Sequence, residues 1–367
     1  MPKTLLLTPD FPPRRGGVAL YLDAVASALK EEIYVLAAPE PDSAVFDAGA
    51  SYSIERIELL FRWIWPHWFR SVLILCQRSA WYHRVIVSHV LPFGTAAFFA
   101  KLITKKPYVV IAHGMDVALA RRSSWKKFLA GFVLRGAKLV IANSRALKEE
   151  IHGTWKVERV AFVHPAITLK GMAKEWNIEP IPHAGIRLLT VSRLVSRKGH
   201  LRVLEALARL RDRHQLPEGL EYLIVGDGPM SDAIEMRATD LGIDDLVHFR
   251  RGVSDEALPE LYRSSDVFVM PTVASGADRE GFGIVYLEAG AYGLPCIGTR
   301  QPGVDEALLD GHTGLLIPDG DIEALTRALL KLSTDGALRR TLGIAGQERV
   351  RNEFSRGKQA EKFRNLL

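Results

Sequence analysis

Short apolar runs rich in β-branched residues alternate with helical patterns along almost the whole chain. Such alternation predicts parallel sheets with helices on both faces. In the first half, the runs that predict strands are 4–8, 33–37, 85–88, 108–112, 138–142 and 160–164. In the second half they are 186–192, 222–225, 246–249, 267–270 and 295–298. Helices are predicted at 18–30, 124–135, 200–214, 230–241, 255–263 and 284–292.

The alternation breaks at residues 165–185, which are rich in proline and glycine and show little periodicity. A break of this composition is typical of a linker. The chain has 367 residues, which is more than one hydrophobic core usually organises. We therefore predict a first domain at 1–170, a linker at 171–185, a second domain at 186–350 and a C-terminal helix at 351–367 that packs back on the first domain. The predicted fold class is α/β, with two doubly wound, Rossmann-like domains facing across a cleft in which ligands bind.

Charge is distributed unevenly between the two halves of the chain. The formal net charge is +6, but residues 1–180 hold 24 Lys and Arg against 15 Asp and Glu, or +9. The remaining residues hold 24 against 27, or −3. This asymmetry indicates that the first half faces something anionic, such as a membrane surface or a phosphate-bearing substrate, unless it is simply a solvated basic surface.

The composition favours a cytoplasmic globular protein. Hydrophobic residues make up 48% of the chain and charged residues 25%, which is ordinary for a globular domain. Cys76 and Cys296 lie far apart in the sequence, which favours a reducing compartment over a disulfide or zinc framework. No secretory signal is recognisable, and the longest uncharged stretch, 85–100, is shorter than the roughly 20 residues that span a bilayer.

The strongest group of polar residues follows the predicted strand at 267–270. In order, the chain has Glu280, a Gly281-Phe282-Gly283 loop, Ile284 at the start of a helix, and Glu288 inside that helix. The spacing of the two glutamates means little alone, since other glutamate pairs in the chain, such as Glu32 with Glu40 and Glu150 with Glu158, share it. The context is more specific, because glycines let the backbone approach a ligand and a helix N-terminus offers unpaired N–H groups to phosphate or sugar oxygens.

From this context we expect Glu280 to accept hydrogen bonds from sugar hydroxyls and Glu288 to reach paired hydroxyls such as those of a ribose. The alternative is purely structural. An acid near a helix N-terminus is favoured by the helix dipole, and a later acid on the same helix can simply be solvated.

Two basic residues follow the first predicted strand of the second half. Arg193 and Lys198 lie in a loop that leads into a helix, where cations oppose the helix dipole. We expect them to neutralise a diphosphate, since arginine's fork and lysine's point charge suit phosphate oxygens. Gly226 begins Gly226-Asp227-Gly228-Pro229, which lacks the third glycine of a dinucleotide fingerprint and favours a tight turn lining the cleft.

The first half has weaker signals. Gly16 and Gly17 precede a predicted helix and suit a phosphate or sugar near backbone N–H groups, although turns use glycine routinely. His113 follows the predicted strand 108–112 and has Gly114 beside it, which suits a position at the cleft. A single histidine is more often structural.

Aromatic and basic residues are mixed in two segments of the first half. The segment 61–70 holds three of the seven tryptophans together with Arg62 and Arg70, and 121–128 repeats the theme around Trp125. This pattern is typical of an interfacial anchor, with ordinary core packing of the aromatics as the alternative.

Taken in order, these motifs resemble those of retaining glycosyltransferase family 4, which has the two-domain GT-B fold. The residues that carry the resemblance are Gly16-Gly17, His113-Gly114 with Asp116, Arg193 with Lys198-Gly199, Gly226-Asp227-Gly228-Pro229, Glu280 with Gly281-Phe282-Gly283 and Glu288, Pro302-Gly303 with Glu306, and Asp310-Gly311 with Gly314. The resemblance covers nearly the whole chain and is strongest at 186–330.

The resemblance assigns a role to each candidate residue. It implies that Arg193 and Lys198 bind the donor diphosphate, that Glu280 and the backbone of 281–284 hold the transferred sugar, that Glu288 contacts the ribose, that Gly16 approaches the diphosphate and that His113 lies near the sugar at the reaction centre. It further implies a hexosyltransferase that needs neither a metal nor a cofactor. The acceptor would attack on the same face as the leaving diphosphate.

The implied substrates are a UDP- or GDP-linked sugar and a saccharide or lipid-linked acceptor in polysaccharide or glycolipid synthesis. With the basic first domain, we expect peripheral contact with an anionic membrane on its cytoplasmic face. Two departures leave the choice of base open. His164-Pro165-Ala166 replaces the family's usual Asn-Gly, and Phe249-Arg250-Arg251-Gly252 shifts a glycine of the nucleobase pocket by one position.

Three alternatives to this interpretation make different demands on the sequence. A nicotinamide-dependent oxidoreductase needs Gly-x-Gly-x-x-Gly after a strand and an acid about 20 residues later, which the chain lacks in the right context. A nucleic-acid binder is disfavoured because no such motif is recognisable and the positive charge lies in one half only. A GT-B-like sugar-nucleotide epimerase stays open and would form product from the donor alone.

Overall fold

The computed structural model describes residues 4–14, 16–167, 180–274 and 280–367. The chain divides into two compact units. The first unit consists of Met1–Ala166 with Arg356–Leu367, and the second of Ile167–Ser355. The predicted linker at 171–185 lies outside the described residues as far as residue 179.

The first unit is a parallel sheet covered by helices. Its strands are β1 (Thr4–Thr8), β2 (Ile33–Ala37), β3 (Ser53–Arg56), β4 (Arg84–Ser88), β5 (Tyr108–Ala112), β6 (Leu139–Ala142) and β7 (Val160–Phe162). Its helices are α1 (Gly17–Leu29), α2 (Ser43–Gly49), α3 (Phe69–Gln77), α4 (Phe93–Thr104), α5 (Met115–Arg121), α6 (Ser124–Gly136) and α7 (Arg145–Trp155).

The second unit repeats this architecture. Its strands are β8 (Ile186–Val191), β9 (Leu220–Val225), β10 (Val247–Arg250), β11 (Val267–Met270), β12 (Cys296–Thr299) and β13 (Gly314–Ile317). Its helices are α8 (His200–Asp212), α9 (Ser231–Asp240), α10 (Leu258–Arg263), α11 (Ile284–Ala291), α12 (Val304–Ala307), α13 (Ile322–Thr334) and α14 (Gly336–Glu353). The last helix of the chain, α15 (Arg356–Leu366), belongs to the first unit.

Both sheets are doubly wound. Their strand orders are β3-β2-β1-β4-β5-β6-β7 and β10-β9-β8-β11-β12-β13, and every pair of neighbouring strands is parallel. In each sheet the winding reverses at one point, between β1 and β4 and between β8 and β11. Ligands of such sheets bind beyond the carboxyl ends of the strands at this switch point. The fold therefore defines one candidate location in each unit.

The central strands are apolar on both faces because helices cover both sides of each sheet. In β1, Leu5 and Leu7 point into one hydrophobic core and Leu6 into the other. In β11, Val267 and Val269 face one core, and Phe268 and Met270 face the opposite one. Successive side chains of a strand point to opposite faces, so near-continuous apolar runs are what a buried parallel strand requires.

The C-terminal helix α15 packs along α1. Phe363 is buried in the same core as Tyr21 and Leu22, and Arg356 donates a hydrogen bond to Asp23 Oδ2 at 3.2 Å. The boundary between the units lies a few residues later than the sequence predicts, since α14 continues to Glu353. The reason is that α14 packs on α11 of the second unit.

Two further observations bear on the expected location of the protein. Cys76 and Cys296 are both free thiols, and they belong to different units. Within the described residues, no helix combines the length and the apolar character that crossing a membrane requires.

Candidate functional site

The loop after β8 reaches the switch point of the second sheet. Ser196–Lys198 forms a single 3-10 turn, Gly199 has a φ of 77°, and α8 begins at the next residue. A Cβ at Gly199 would lie 2.0 Å from the carbonyl oxygen of Pro271, the residue that follows β11. Only glycine therefore lets this loop lie against the end of the neighbouring strand.

Glu280 is the centre of an ion-pair cluster at this point. Its Oε2 accepts a hydrogen bond from Lys198 Nζ at 2.7 Å and another from Arg197 Nη1 at 2.6 Å. Charge-assisted bonds of this length are among the strongest in proteins. The cluster joins the loop after β8 to the segment that precedes α11. These two parts of the chain are about 80 residues apart in the sequence.

The surroundings of Glu280 keep it ionised. Burial alone would raise the pKa of its carboxyl, but the charges of Lys198 and Arg197 and their hydrogen bonds outweigh burial and hold the pKa below its ordinary value. The described part of the cluster consists of two cations and one carboxylate. Such a cluster can bind an anionic group while its carboxylate accepts a hydrogen bond from a hydroxyl.

Arg193 has a different environment from the other cations of this loop. Its side chain is exposed and makes no hydrogen bond or ion pair with any described residue. The prediction paired Arg193 with Lys198, whereas the structure gives Lys198 a neighbour, Arg197, to which the prediction assigned no role. The signal for Arg197 was present in the Arg197-Lys198-Gly199 triplet, but only the position of Glu280 makes it specific.

Glu288 lies on α11 and has its own partner. The hydroxyl of Tyr262, from α10, donates to Glu288 Oε2 at 2.9 Å, and the Tyr262 ring stacks on Tyr292 with centroids 5.2 Å apart. Burial raises the pKa of Glu288, and the hydrogen bond from Tyr262 only partly offsets this. The second oxygen, Oε1, bonds to no described residue, so Tyr262 orients the carboxyl and leaves one oxygen for a ligand.

The Gly281-Phe282-Gly283 loop presents backbone rather than side chains. Gly283 precedes α11 with a φ of 82° and no side-chain cap, so the first-turn amides of Ile284 and the next residue lack a capping partner. The ring of Phe282 is buried and packs against Phe354, with centroids 5.9 Å apart. The Phe282 side chain therefore belongs to the core, and only the backbone of this residue is left for a ligand contact.

Gly226 has a packing role in this unit. Its amide donates to the carbonyl of Arg250 at 3.0 Å, and a Cβ there would lie 2.0 Å from the carbonyl oxygen of Ser192. Its neighbour Asp227 accepts a hydrogen bond from the amide of Gly252 at 3.1 Å. The turn that contains Gly226 thus holds the β8 and β10 loops together, and a donor contact by Gly226 stays a prediction.

The switch point of the first sheet holds a polar cluster that sequence reasoning missed. Thr8 and Ser88, the last residues of β1 and β4, share a hydrogen bond of 2.8 Å between their hydroxyls. Ser88 Oγ lies 3.0 Å from His89 Nδ1, and His89 Nε2 lies 3.4 Å from Asp10 Oδ2. His89 has a φ of 75°, an uncommon conformation for a residue other than glycine.

His113 lies next to this cluster, after β5. Its ring centroid is 5.4 Å from that of His89 and 5.6 Å from that of Tyr21. Its amide donates to Asp116 Oδ1 at 3.0 Å, and Asn143 Nδ2 donates to its carbonyl at 3.1 Å. These bonds fix the backbone, so the ring direction does not depend on loop motion.

Burial, and then the charge of the nearby His89, lower the pKa of His113 to about 3 against the opposing effect of Asp116. The imidazole is therefore neutral at physiological pH. Its Nε2 is buried and makes no hydrogen bond to a described residue. A neutral ring with one unused nitrogen can donate to, or accept from, a hydroxyl, but it is not a cation for a phosphate.

Gly16 and Gly17 mark the start of α1. Gly16 has a φ of 147° and no side-chain cap, and Gly17 is the first residue of the helix. A Cβ at Gly16 would meet no atom within 4 Å, so there is open space beside this backbone. The turn is therefore accessible to a ligand, although its neighbour Arg15 lies outside the described residues.

The predicted residues thus form two sets, one in each unit. Lys198 and Glu280 are brought together with Arg197, and Glu288 lies on the following helix. His113 is brought together with the unpredicted His89 and Asp10. Across the described ranges, no group of three or more His, Cys, Asp or Glu side chains is arranged to hold a metal ion.

Comparisons with known proteins agree with this architecture. Residues 15–170 match the profile of Glycosyltransferase Family 4, and residues 173–349 match that of Glycosyl transferases group 1. A similar solved structure is that of Anabaena HepE in complex with UDP, with a TM-score of 0.81 and 20% identity over 99% of this chain and 98% of that one. WaaG, a glycosyltransferase involved in lipopolysaccharide biosynthesis, has a TM-score of 0.69 and 18% identity over 99% of both chains.

A relative in sequence is the GDP-mannose-dependent alpha-(1-6)-phosphatidylinositol monomannoside mannosyltransferase of Mycolicibacterium smegmatis. It is 31% identical over 94% of this chain and 92% of its own length. The enzyme of the same name from Mycobacterium tuberculosis is 28% identical over 100% of this chain and 98% of its own length. The two doubly wound parallel sheets are those of the GT-B fold, and the chain belongs to the group 1 glycosyltransferases, of the family 4 type.

Proposed function

We propose that this glycosyltransferase moves a hexosyl group, mannosyl as the first candidate, from a nucleoside diphosphate sugar to a saccharide or lipid-linked acceptor. The support for mannose and for a GDP-linked donor is the name shared by the Mycolicibacterium and Mycobacterium relatives. A UDP-linked donor is the second candidate, because HepE, which shares the fold, was solved with UDP.

The cluster of Glu280, Lys198 and Arg197 is the observation that carries this proposal. Transfer of a sugar from its nucleotide leaves negative charge on the departing diphosphate, so the site needs fixed cations where that charge develops. It also needs a carboxylate that holds the sugar by its hydroxyls. The proposal is supported by the position of Lys198 and Arg197 within 2.7 Å of one carboxylate oxygen of Glu280.

In the proposed reaction, Lys198, together with the exposed Arg193, stabilises the diphosphate as the glycosidic bond breaks. Glu280 keeps the sugar in place, and Glu288, oriented by Tyr262, binds the ribose. The acceptor hydroxyl attacks from the side of the leaving diphosphate, whose oxygen takes the proton, so the anomeric configuration is retained. Neutral His113 contacts a sugar hydroxyl instead of taking the proton.

Metal independence is part of the proposal. In many phosphate-transfer sites a bound cation neutralises the diphosphate. Here Lys198 and Arg197 of the Glu280 cluster, with Arg193 in the same loop, supply that neutralisation from side chains. No cofactor is needed for the transfer, since the nucleotide sugar is itself the activated substrate.

A donor screen tests the proposal. Thermal shift and hydrolysis are measured with GDP-mannose, GDP-glucose, UDP-glucose, UDP-N-acetylglucosamine and ADP-glucose, with and without EDTA. We expect one GDP- or UDP-linked sugar to raise the melting temperature and to be hydrolysed slowly, with equal rates in EDTA. With a saccharide acceptor present, the configuration of the new glycosidic bond, read by proton NMR of the anomeric signal, should match that of the donor.

Each part of the proposal has its own contrary result. No response to any nucleotide sugar would contradict the donor assignment. Loss of activity in EDTA, restored by a divalent metal, would contradict metal independence, and an inverted product would contradict retention. A second sugar nucleotide formed from the donor alone would indicate an epimerase.

A further inference from the structure

A stretch of the first unit is almost free of acidic residues. Residues 59–148 hold 15 Lys and Arg and a single acid, Asp116. That acid is buried and accepts backbone hydrogen bonds from His113 and Val90, so it is not part of the surface. The stretch therefore contributes basic but no acidic side chains to the surface.

Four helices of this stretch share one side of the first sheet. Their inward residues all enter the same hydrophobic core, among them Val72 of α3, Ala96 of α4, Val117 of α5 and Val133 of α6. α4 packs against both α3 and α6, and α5 packs against α6. The outward sides of the four helices therefore lie on one layer, which we call the α3–α6 face.

This face exposes far more large apolar side chains than folding requires. In the loop before α3, Trp63 and Trp65 are 91% and 82% exposed, and on α6 Phe128 is 67% exposed. The other large apolar side chains exposed on the same stretch are Ile64, Phe69, Leu73, Trp81, Phe99, Leu102, Ile103, Met115, Leu119, Trp125 and Phe132. Single exposed apolar residues are ordinary, but a contiguous set marks an interaction surface.

Ring contacts connect the aromatic loop to the helices. Trp68 stacks on Phe99 of α4, with centroids 5.3 Å apart and planes 11° from parallel. On α6, Phe128 contacts Phe132 with centroids 4.8 Å apart. These contacts hold the loop that contains Trp63 and Trp65 beside α4, so its exposed tryptophans and the helices belong to one surface.

Cations without partners lie among these apolar side chains. Arg62, Lys105, Arg122, Lys126 and Lys127 form no ion pair with any described residue. In the second unit, by contrast, exposed arginines such as Arg211 and Arg213 pair with acids on neighbouring elements. The positive charge of the α3–α6 face is therefore available to an external anion.

We propose that the α3–α6 face docks on the surface of an anionic lipid bilayer. Aromatic side chains at headgroup level, aliphatic tips in the acyl boundary and cations at the phosphates are the elements of interfacial binding. Neither a weak apolar insertion nor a basic patch anchors a protein well alone, but the two together do. Charge complementarity selects a bilayer rich in acidic lipids, and the inference holds whichever sugar nucleotide is the donor.

Vesicle sedimentation of the full chain tests this. We compare vesicles of phosphatidylcholine with vesicles containing about 30% phosphatidylglycerol. We expect binding to the second only, a blue shift of tryptophan emission on binding, and weakening when NaCl rises from about 0.1 to about 0.5 M. Emission should also be quenched by brominated acyl chains, which reach only inserted tryptophans.

Matched double variants separate this face from the rest of the surface. W63S with W65S should lower the partition coefficient about tenfold or more and remove most of the blue shift, since both rings are inserted. K126E with K127E should lower it at least about 25-fold, because each basic residue near the surface contributes about fivefold. The controls lie in the second unit: Met236→Ser with Ile344→Ser for apolar exposure, and Arg340→Glu with Arg351→Glu for charge.

Donor hydrolysis and melting temperature are measured for every variant, and both should equal those of the wild type. Equal binding to neutral and anionic vesicles, binding to neither, or face variants that bind like the controls would overturn the proposal. A wild type that sediments with vesicles but shows neither blue shift nor quenching would overturn the insertion of Trp63 and Trp65.

Discussion

Glu280 and Glu288 carry the same side chain in opposite electrostatic surroundings. Two cations hold the pKa of Glu280 below its ordinary value, while burial holds the pKa of Glu288 above it. Carboxylates whose environments push their pKa values apart take different roles. Glu280 is suited to act as a fixed negative charge, and Glu288 as a hydrogen-bonding group whose charge responds to ligand and pH.

Glu280→Gln tests the fixed charge. Glutamine keeps the size and a hydrogen-bond acceptor but removes the carboxylate charge from beside Lys198 and Arg197. We expect kcat/KM for donor hydrolysis to fall at least about 100-fold, the cost of losing one preorganised electrostatic contact. The matched control is Glu348→Gln, an exposed acid on α14. A Glu280→Gln enzyme within threefold of the control would contradict the role.

His200 gives a pH prediction for the stability of the second unit. Burial, and then the charge of Lys198, lower its pKa to about 4 from 6.5. Between these two values the unfolded chain binds a proton that the folded unit does not, so acid favours unfolding. The free energy of unfolding should therefore fall as pH drops from 6.5 to 4, by about 1.4 kcal/mol per pH unit.

Calorimetry of wild type and His200→Gln across this pH window measures the effect. Glutamine can keep a hydrogen bond to Ser192 or Tyr222, the two partners of the ring. The variant's melting temperature should depend less steeply on pH, whatever its absolute value. Identical slopes for the two proteins would show that His200 takes up no proton on unfolding.

At the scale of the elements, close approach between the loops after β8 and β11 positions the Glu280 cluster. Gly199, in the loop after β8, lies against Pro271, and α8 begins at the following residue. A similar close approach of two backbones occurs at Gly303, where a Cβ would lie 2.3 Å from the carbonyl oxygen of Gly281. The loop that carries Glu280 is thus held by backbone packing, which side-chain chemistry alone would not reveal.

Gly199→Ala tests this positioning. Gly293 has nearly the same φ, 75° against 77°, but open space where its Cβ would be. Gly293→Ala should therefore cost only the left-handed backbone strain, about 1 to 2 kcal/mol. Gly199→Ala adds the clash with Pro271, so it should melt lower and weaken donor binding measured by calorimetric titration. Equal melting temperatures and donor affinities in the two variants would contradict the packing role.

The elements that sequence predicts best are those buried on both faces. β1, β2, β5 and β11 have the predicted bounds, because apolar β-branched runs leave little choice. β3 was missed since this edge strand has a single apolar residue, Ile54, among Ser53, Glu55 and Arg56, and so contains no apolar run. β13 was missed because Gly314–Ile317 is short and follows a turn.

For the candidate site, prediction from the sequence is limited by something else, namely contacts between distant residues. Lys198 and Glu280 could be found because each lies just outside a strand or helix of its own. Arg197, Tyr262 and the Asp10–His89 pair could not, since their roles depend on partners that the sequence places 26 to 83 residues away. Contacts between distant loops are set by strand order, and strand order is not readable from a single sequence.

At the scale of the whole molecule, the first unit consists of two separate segments of the chain. Residues up to Ala166 belong to the first unit, Ile167 to Ser355 form the second unit, and α15 belongs to the first unit again. Two phenylalanines only nine residues apart, Phe354 and Phe363, are each about 1% exposed and lie in the cores of different units. Their proximity in sequence makes them a sensitive marker of the boundary.

Phe354→Ala and Phe363→Ala should each destabilise a different unit. Removal of a buried phenylalanine costs about 3 to 5 kcal/mol. Hydrogen exchange by mass spectrometry should show faster exchange in the strands β8 to β13 for Phe354→Ala, and in β1 to β7 for Phe363→Ala. If both variants loosened the same strands, the boundary at Arg356 would be wrong.

The returning helix α15 also governs how such enzymes can be recombined. A single crossover in the gene near residue 167 would join a first unit to a foreign second unit, but it would bring a foreign α15 as well. That helix would then have to fit α1, where Phe363 and the Arg356–Asp23 bond make specific contacts. Exchange of the second unit as an intact cassette therefore requires two crossovers, near residues 167 and 356, with the terminal helix inherited alongside the first unit.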